Sequence, residues 1–190
     1  MQCEVIDLAY STKDIVLIAG LSVISGIIFA ITSDVLATPV EVIGGHYGIA
    51  VIYGLWFIGG TLTGYVVRKP WAAFLGETIG AIIELLALSP YSILLYYYGP
   101  AQGIMSELAF AIFRYKKWDY TSMFLAGALP AIAAYPFDVL VSPFYPEAVH
   151  YTLVTHVTLF MGYLLSGAIL GGFLVKFIVD AAVKAGAIKL

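Results

Sequence analysis

Six runs of mainly apolar residues, at approximately 15–31, 48–67, 71–88, 93–113, 121–141 and 153–178, alternate along the chain with short polar or basic breaks. A helix needs about 20 such residues to cross a hydrocarbon core of roughly 30 Å, so each run predicts one transmembrane helix. The breaks are a longer loop with Pro39 and His46, an Arg68-Lys69-Pro70 turn, a Ser89-Pro90-Tyr91 turn, an Arg114-Tyr115-Lys116-Lys117 loop and a Pro- and Tyr-rich stretch from Ser142 to Tyr151. Irregular backbone is excluded from lipid because its polar groups find no partner there. The expected fold class is an all-α membrane protein, with residues 1–190 forming one six-transmembrane-helix bundle.

Charge placement gives that bundle a direction. The nine basic residues are Lys13, Arg68, Lys69, Arg114, Lys116, Lys117, Lys176, Lys184 and Lys189, and all fall before run one, after runs two and four, or at and after the end of run six. The opposite breaks carry Asp34, Glu41 and Glu147. Basic flanks are retained in the cytoplasm, which predicts cytoplasmic N and C termini; an odd number of spans would break the pattern.

Composition agrees and excludes several classes. With 62% hydrophobic and 11% charged residues and a mean hydropathy of +0.97, water is not the main solvent. A net charge of -3 suggests no nucleic-acid-binding face. The single cysteine, Cys3, cannot form an internal disulfide, and no Cys/His cluster offers a metal spacing. The polar start, with Glu4, Asp7 and Asp14, does not read as a cleavable signal peptide. There is no GxxxxGK[ST] phosphate loop, GxSxG elbow or HExxH helix, and no convincing similarity between the two halves. The chain does not energise itself, and neither a cofactor nor a catalytic residue is expected.

Ionisable residues at membrane depth cost about 2.5–3.5 kcal/mol each and point by default to function. Glu77 and Glu84 lie seven residues apart on one face of run three, and Glu107 lies in run four. Counting along the helices puts Glu77 and Glu107 at one inner level, where they share a proton or reach separate interhelical donors. Glu84, Gln102, Asp138 and His156 coincide near the outer end with Tyr53, Trp56, Tyr96, Tyr97 and Tyr98, a mix suited to a pocket open to the outside. Aromatic faces stack on flat heterocycles and attract cations, and carboxylates neutralise them. An interfacial aromatic belt is the better account of any single tyrosine, and interfacial placement explains Asp138 and His156 as well as a ligand role does, but Trp56, Gln102 and Glu84 lie too deep for one. Pro100, Pro130 and Pro136 each free a helical carbonyl that can line a cavity. Ser22, Gly26 and Ala30 recur at four-residue intervals on run one, a flat strip for another span of the bundle or for a second protein.

The stretch from Gly76 to Lys117 is distinctive. It reads G-E-T-I-G-A-I-I-E-L-L-A-L-S-P-Y-S and then Y-G-P-A-Q-G-I-M-S-E-L-A-F-A-I-F-R-Y-K-K-W. It resembles the YkoE family of substrate-binding S components of energy-coupling factor (ECF) transporters, over some forty residues. The resemblance implies a six-helix vitamin-capture subunit that associates with a transmembrane T component and two ATPase subunits. The family is linked to thiamine and its hydroxymethylpyrimidine precursor. By that resemblance Glu84 accepts from the aminopyrimidine or balances the thiazolium charge, Trp56 and the tyrosines stack, and Gln102 pairs with the remaining polar edge. The expected substrate-binding set is Glu84, Trp56, Tyr53, Gln102, Tyr98, Glu77, Asp138 and His156. The strip Ser22/Gly26/Ala30 is similar to the surface that S components offer to the T component. Rival readings are an S component for another vitamin such as riboflavin, an intramembrane enzyme using Glu77 and Glu107 as acid and base, or a structural membrane subunit.

Overall fold

A computed structural model describes residues 9–188 and Leu190, and every regular element among them is helical. Cys3, Glu4, Asp7 and Lys189 lie outside the described residues. Helix α1 (Thr12–Ile31) begins at a capping box in which Asp14 N donates to Ser11 Oγ and Ser11 N donates to Asp14 Oδ2. These bonds satisfy amides that no helical carbonyl can reach.

The loop expected around Pro39 and His46 is instead helical. The chain runs on through a π-turn (Thr32–Leu36) into α2 (Ala37–Ile52). Pro39 sits in the first turn of α2, behind the wide π-turn, where its ring and missing N–H do least harm. The reversal comes later, at Gly45, whose φ of 56° and ψ of -151° suit glycine almost exclusively. A 3₁₀ stretch (Tyr53–Phe57) then leads into α3 (Ile58–Val67). Arg68 ends α3 in the left-handed conformation.

Helices α4 (Ala72–Leu86) and α5 (Leu95–Ile112) form an antiparallel pair across the Ser-Pro turn. Next come α6 (Tyr120–Ala128) and α7 (Pro130–Leu140), which join at Pro130. Pro130 has no N–H, and the Ala126 carbonyl four residues earlier accepts instead from Ser106 Oγ of α5 at 3.0 Å. This proline-freed carbonyl fastens two helices together. Helix α8 (Leu153–Ser166) widens into a π-helical segment (Gly167–Leu174) and resumes as α9 (Val175–Lys184).

Helix α4 packs against α1, α3 and α5, while α6 packs on the π-helical segment and α8 on α2 and α7. Small residues permit the closest approaches. A Cβ on Gly26 would stand 2.6 Å from Ile83 Cβ and 2.8 Å from Gly80 O. Ser22 and Gly26 are buried, Ala30 is half-buried, and at Gly26 the strip expected to face a partner meets α4. A Cβ on Gly167 would lie 2.1 Å from Gly127 O, and one on Gly172 would lie 2.3 Å from Met123 O. At that contact α6 and the π-helical segment meet backbone to backbone.

The outer surface carries exposed Val23, Ile24, Ile27, Ile104, Leu108, Leu165 and Ile169, an apolar exterior suited to lipid. Three helical stretches, Thr12–Val67, Tyr120–Leu140 and Leu153–Lys184, are long and apolar enough to cross a membrane. Between them, α4 and α5 carry Glu77, Glu84, Gln102 and Glu107, all buried. At the basic end the Arg68 guanidinium lies over the rings of Tyr65 and Trp118, 5.1 and 5.6 Å from their centroids. Lys176 is buried there, paired with Asp180 at 3.0 Å and donating to Tyr65 Oη.

Candidate functional site

At the end of the bundle opposite the basic turns lies a cavity of about 50 Å³. One water takes about 10–15 Å³, so the space holds a few waters. The 3₁₀ stretch supplies Tyr53 and Trp56, α4 supplies Glu77 and Glu84, α5 supplies Tyr98 and Gln102, and α7 supplies Asp138. Glu41 of α2 and Ser142, Phe144 and Tyr145 of the following loop stand at its mouth, with Tyr91 between.

Each carboxylate is held by its own set of donors. Glu84 Oε1 accepts from Ser89 Oγ at 2.9 Å and from Ser33 Oγ, which itself accepts from Trp56 Nε1 at 3.0 Å. The π-turn puts Ser33 on this side of the helix, and both hydroxyl bonds fall on Oε1, so Oε2 is the less engaged oxygen. Deeper in, Glu77 Oε2 accepts from Gly60 N. A Cβ on Gly59 would stand 2.9 Å from that oxygen, so the glycine makes room for it. With its amide oriented to donate, Gln102 reaches Glu77 Oε1 and Trp56 O, both at 3.2 Å. On the far wall, Asp138 accepts from Tyr163 Oη at 2.7 Å and from Tyr98 Oη. Tyr163 Oη also meets Tyr145 Oη at 2.6 Å, which ties the carboxylate to the loop.

Aromatic rings fill the space between these groups. Tyr53 stacks on Tyr163 at 3.8 Å and tilts against Trp56 at 5.2 Å. Trp56 meets Tyr91 edge-on at 5.9 Å, and Tyr91 meets Phe144 at 4.8 Å. Outside the mouth, the His46 ring tilts against Tyr145 at 4.1 Å, bonds Tyr151 Oη and lies 3.4 Å from Glu41 and 3.5 Å from Glu147. Through these contacts it joins α2 to the 142–151 loop.

Of the eight residues singled out from sequence, Glu84, Trp56, Tyr53, Gln102, Tyr98, Glu77 and Asp138 share this cavity. His156 does not. It bonds Tyr135 Oη at 2.7 Å in a shallow outer groove, and the Tyr135 ring stands between it and Tyr163. Tyr96 and Tyr97 are exposed. Glu77, which helix counting puts at one level with Glu107, lines the cavity. Glu107 instead caps α4, accepting from Trp71 N at 2.6 Å, Ala73 N at 3.0 Å, Phe74 N at 3.2 Å and Tyr115 Oη at 2.6 Å. The two carboxylates thus use separate donors and form no acid/base pair. Sequence reasoning missed Glu41, Tyr91, Phe144 and Tyr145, which stand in or beside segments read as loops. It also missed the supports Ser33 and Ser89, although the Ser-Pro turn marks the second.

A lipid-facing helical bundle closed around a small, aromatic, carboxylate-bearing cavity defines a membrane protein that captures a small solute. Residues 13–133 match the family described as the permease component of an ABC-type cobalt transport system. Over 184 residues the chain is 33% identical to the HMP/thiamine permease protein YkoE of Bacillus subtilis (strain 168), covering 95% of this chain and 88% of that protein. A crystal structure of an S component of an ECF transporter aligns with a TM-score of 0.86 and 27% identity, covering 94% of this chain and 88% of that one. The chain belongs to the YkoE family of ECF-transporter S components.

Proposed function

We propose that this S component captures thiamine or its hydroxymethylpyrimidine (HMP) precursor from outside the cell. The cavity carries the reading, because it sets Glu84 and Glu77 beside Trp56 and a wall of tyrosines. An aminopyrimidine has a flat face to stack and N–H groups to donate, and a thiazolium adds a positive charge. Glu84 Oε2 would accept from the exocyclic amine, with Trp56 stacking and Gln102 beside it. Asp138 and its tyrosines would close the opposite edge. The YkoE relative is named for the same ligands, which supports this assignment. Among the described residues no group of three or more His, Cys, Asp or Glu side chains is placed to hold a metal ion, which favours an organic ligand over cobalt.

The protein would cross the cell membrane six times, with the basic turns and both termini in the cytoplasm. It would work with a T component and two ATPase subunits that supply the hydrolysis this chain has no phosphate loop to perform. The outward faces of the bundle would meet the T component, since α4 already packs on Gly26.

The test is Trp fluorescence of the detergent-purified protein titrated with thiamine, HMP and riboflavin, repeated on Glu84→Gln. Thiamine or HMP should quench saturably. Glutamine keeps an acceptor for Ser33 and Ser89 but loses charge, so affinity should fall about 10- to 100-fold, the worth of one hydrogen bond to a charged group. Quenching by riboflavin alone, or an unchanged affinity in Glu84→Gln, would overturn the assignment.

A further inference from the structure

Among the described residues the cavity wall holds four carboxylates, Glu41 at the mouth and Glu77, Glu84 and Asp138 within, and no Lys, Arg or His. Binding a phosphate requires cationic side chains or several convergent, uncommitted N–H groups. The cavity supplies neither. The basic turns bearing Arg68, Arg114 and Lys117 lie at the other end of the bundle. Amides near the mouth are already committed: Tyr91 N to Ser89 Oγ at 3.4 Å, Ser92 N to Ser89 O at 3.0 Å, Leu94 N to Tyr91 O at 3.0 Å and Phe144 N to Ser142 Oγ at 3.3 Å. His46, nearest the rim, stands between Glu41 and Glu147.

From this we infer that the site is charge-selective: it admits the unphosphorylated alcohol form of its ligand and rejects phosphate esters of the same molecule, with Glu41 as the repelling rim residue. The inference rests on the pyrimidine-capture reading above and deepens it. Like charges brought together in a desolvated site cost enough to weaken binding at least about 100-fold. A phosphorylated precursor would then reach the site only after hydrolysis outside, in which water cleaves the P–O ester bond and leaves the alcohol and inorganic phosphate.

The experiment compares dissociation constants for thiamine and thiamine monophosphate, and for HMP and its phosphate, by Trp quenching of the full-length protein. It is repeated on Glu41→Gln and at raised salt. Glu41 is exposed, so the variant should fold, and gel filtration checks that it does. The expected result is a monophosphate at least about 100-fold weaker than its alcohol, with a gap that Glu41→Gln narrows at least about threefold and salt narrows further. Equal affinity for ester and alcohol overturns charge selection while leaving the capture function standing. An unchanged gap in Glu41→Gln overturns the rim assignment. If the folded protein binds neither form, the capture function itself falls, and charge selection with it.

Discussion

Replacing Glu107 by alanine should destabilise the bundle without emptying its cavity. Its two oxygens accept from three amides at the start of α4 and from the Tyr115 hydroxyl. Ala73 is fully buried, so its amide loses the acceptor that Glu107 supplies with no water in exchange. Trp71 is exposed, and its amide can turn to water. A buried donor left unpaired costs about 1–3 kcal/mol, so the loss should total about 3–5 kcal/mol once the rehydrated amide is discounted. At about 2–4 °C per kcal/mol in a chain of this size, the melting temperature should drop by about 10 °C. Glutamine presents a single acceptor oxygen, so Glu107→Gln should show about half that drop. Thermal scans in detergent, followed by Trp fluorescence, measure both variants. The thiamine dissociation constant at 4 °C should stay within about threefold of the parent protein, because Glu107 does not line the cavity. Melting within about 2 °C of the parent would refute the capping argument, as would a collapse in affinity with melting unchanged.

Gly172→Val should lower the melting temperature by at least about 6 °C, since its Cβ would stand 2.3 Å from Met123 O and overpacking of that kind costs about 3 kcal/mol or more. Ser33→Ala removes the hydroxyl between Trp56 and Glu84, so ligand affinity should fall about 5- to 10-fold in the same quenching titration. At the basic end, the Ser11 hydroxyl and then Lys69, 2.9 Å away, hold the Asp14 carboxyl down at about 2. A depressed native value stabilises above the unfolded pKa of about 3.9 and fades as pH falls towards 2, so Asp14→Asn should flatten the melting temperature between pH 4 and 2, by no more than about 1 kcal/mol.

Depth along each helix was legible in the sequence, and rotation about its axis was not. Hydropathy marks the apolar runs and the polar residues stranded within them, because burying a carboxylate in lipid is costly wherever it points. That cost singles out Glu77, Glu84, Glu107 and Asp138 from the sequence alone. It could not say that Glu77 turns to the cavity while Glu107 turns to the amides of α4. His156 shares a level with Asp138, yet the Tyr135 ring comes between it and the cavity. The Ser22/Gly26/Ala30 strip announced a close helix contact, but spacing alone does not name the neighbour. Residues 32–47, with Pro39 and His46, read as a loop in the sequence because proline is a strong turn signal. The π-turn absorbs the proline, only Gly45 breaks the helix, and Ser33 and Glu41 come to the cavity as a result.

The contact between α6 and the π-helical segment limits how this molecule can move. With Gly127, Gly167 and Gly172 at the seam, no flexible side chain lies between the two backbones to yield like a bearing. Advancing one helix past the other by a single residue, about 1.5 Å, would drive carbonyl oxygens into the opposing chain. The seam therefore acts as a weld, and α6 with the continuous helix from Leu153 to Lys184 forms one stiff strut. Any working stroke must either carry that strut whole or pivot about it, leaving the Gly45 bend and the loop clasped by His46 as the places where the mouth can open.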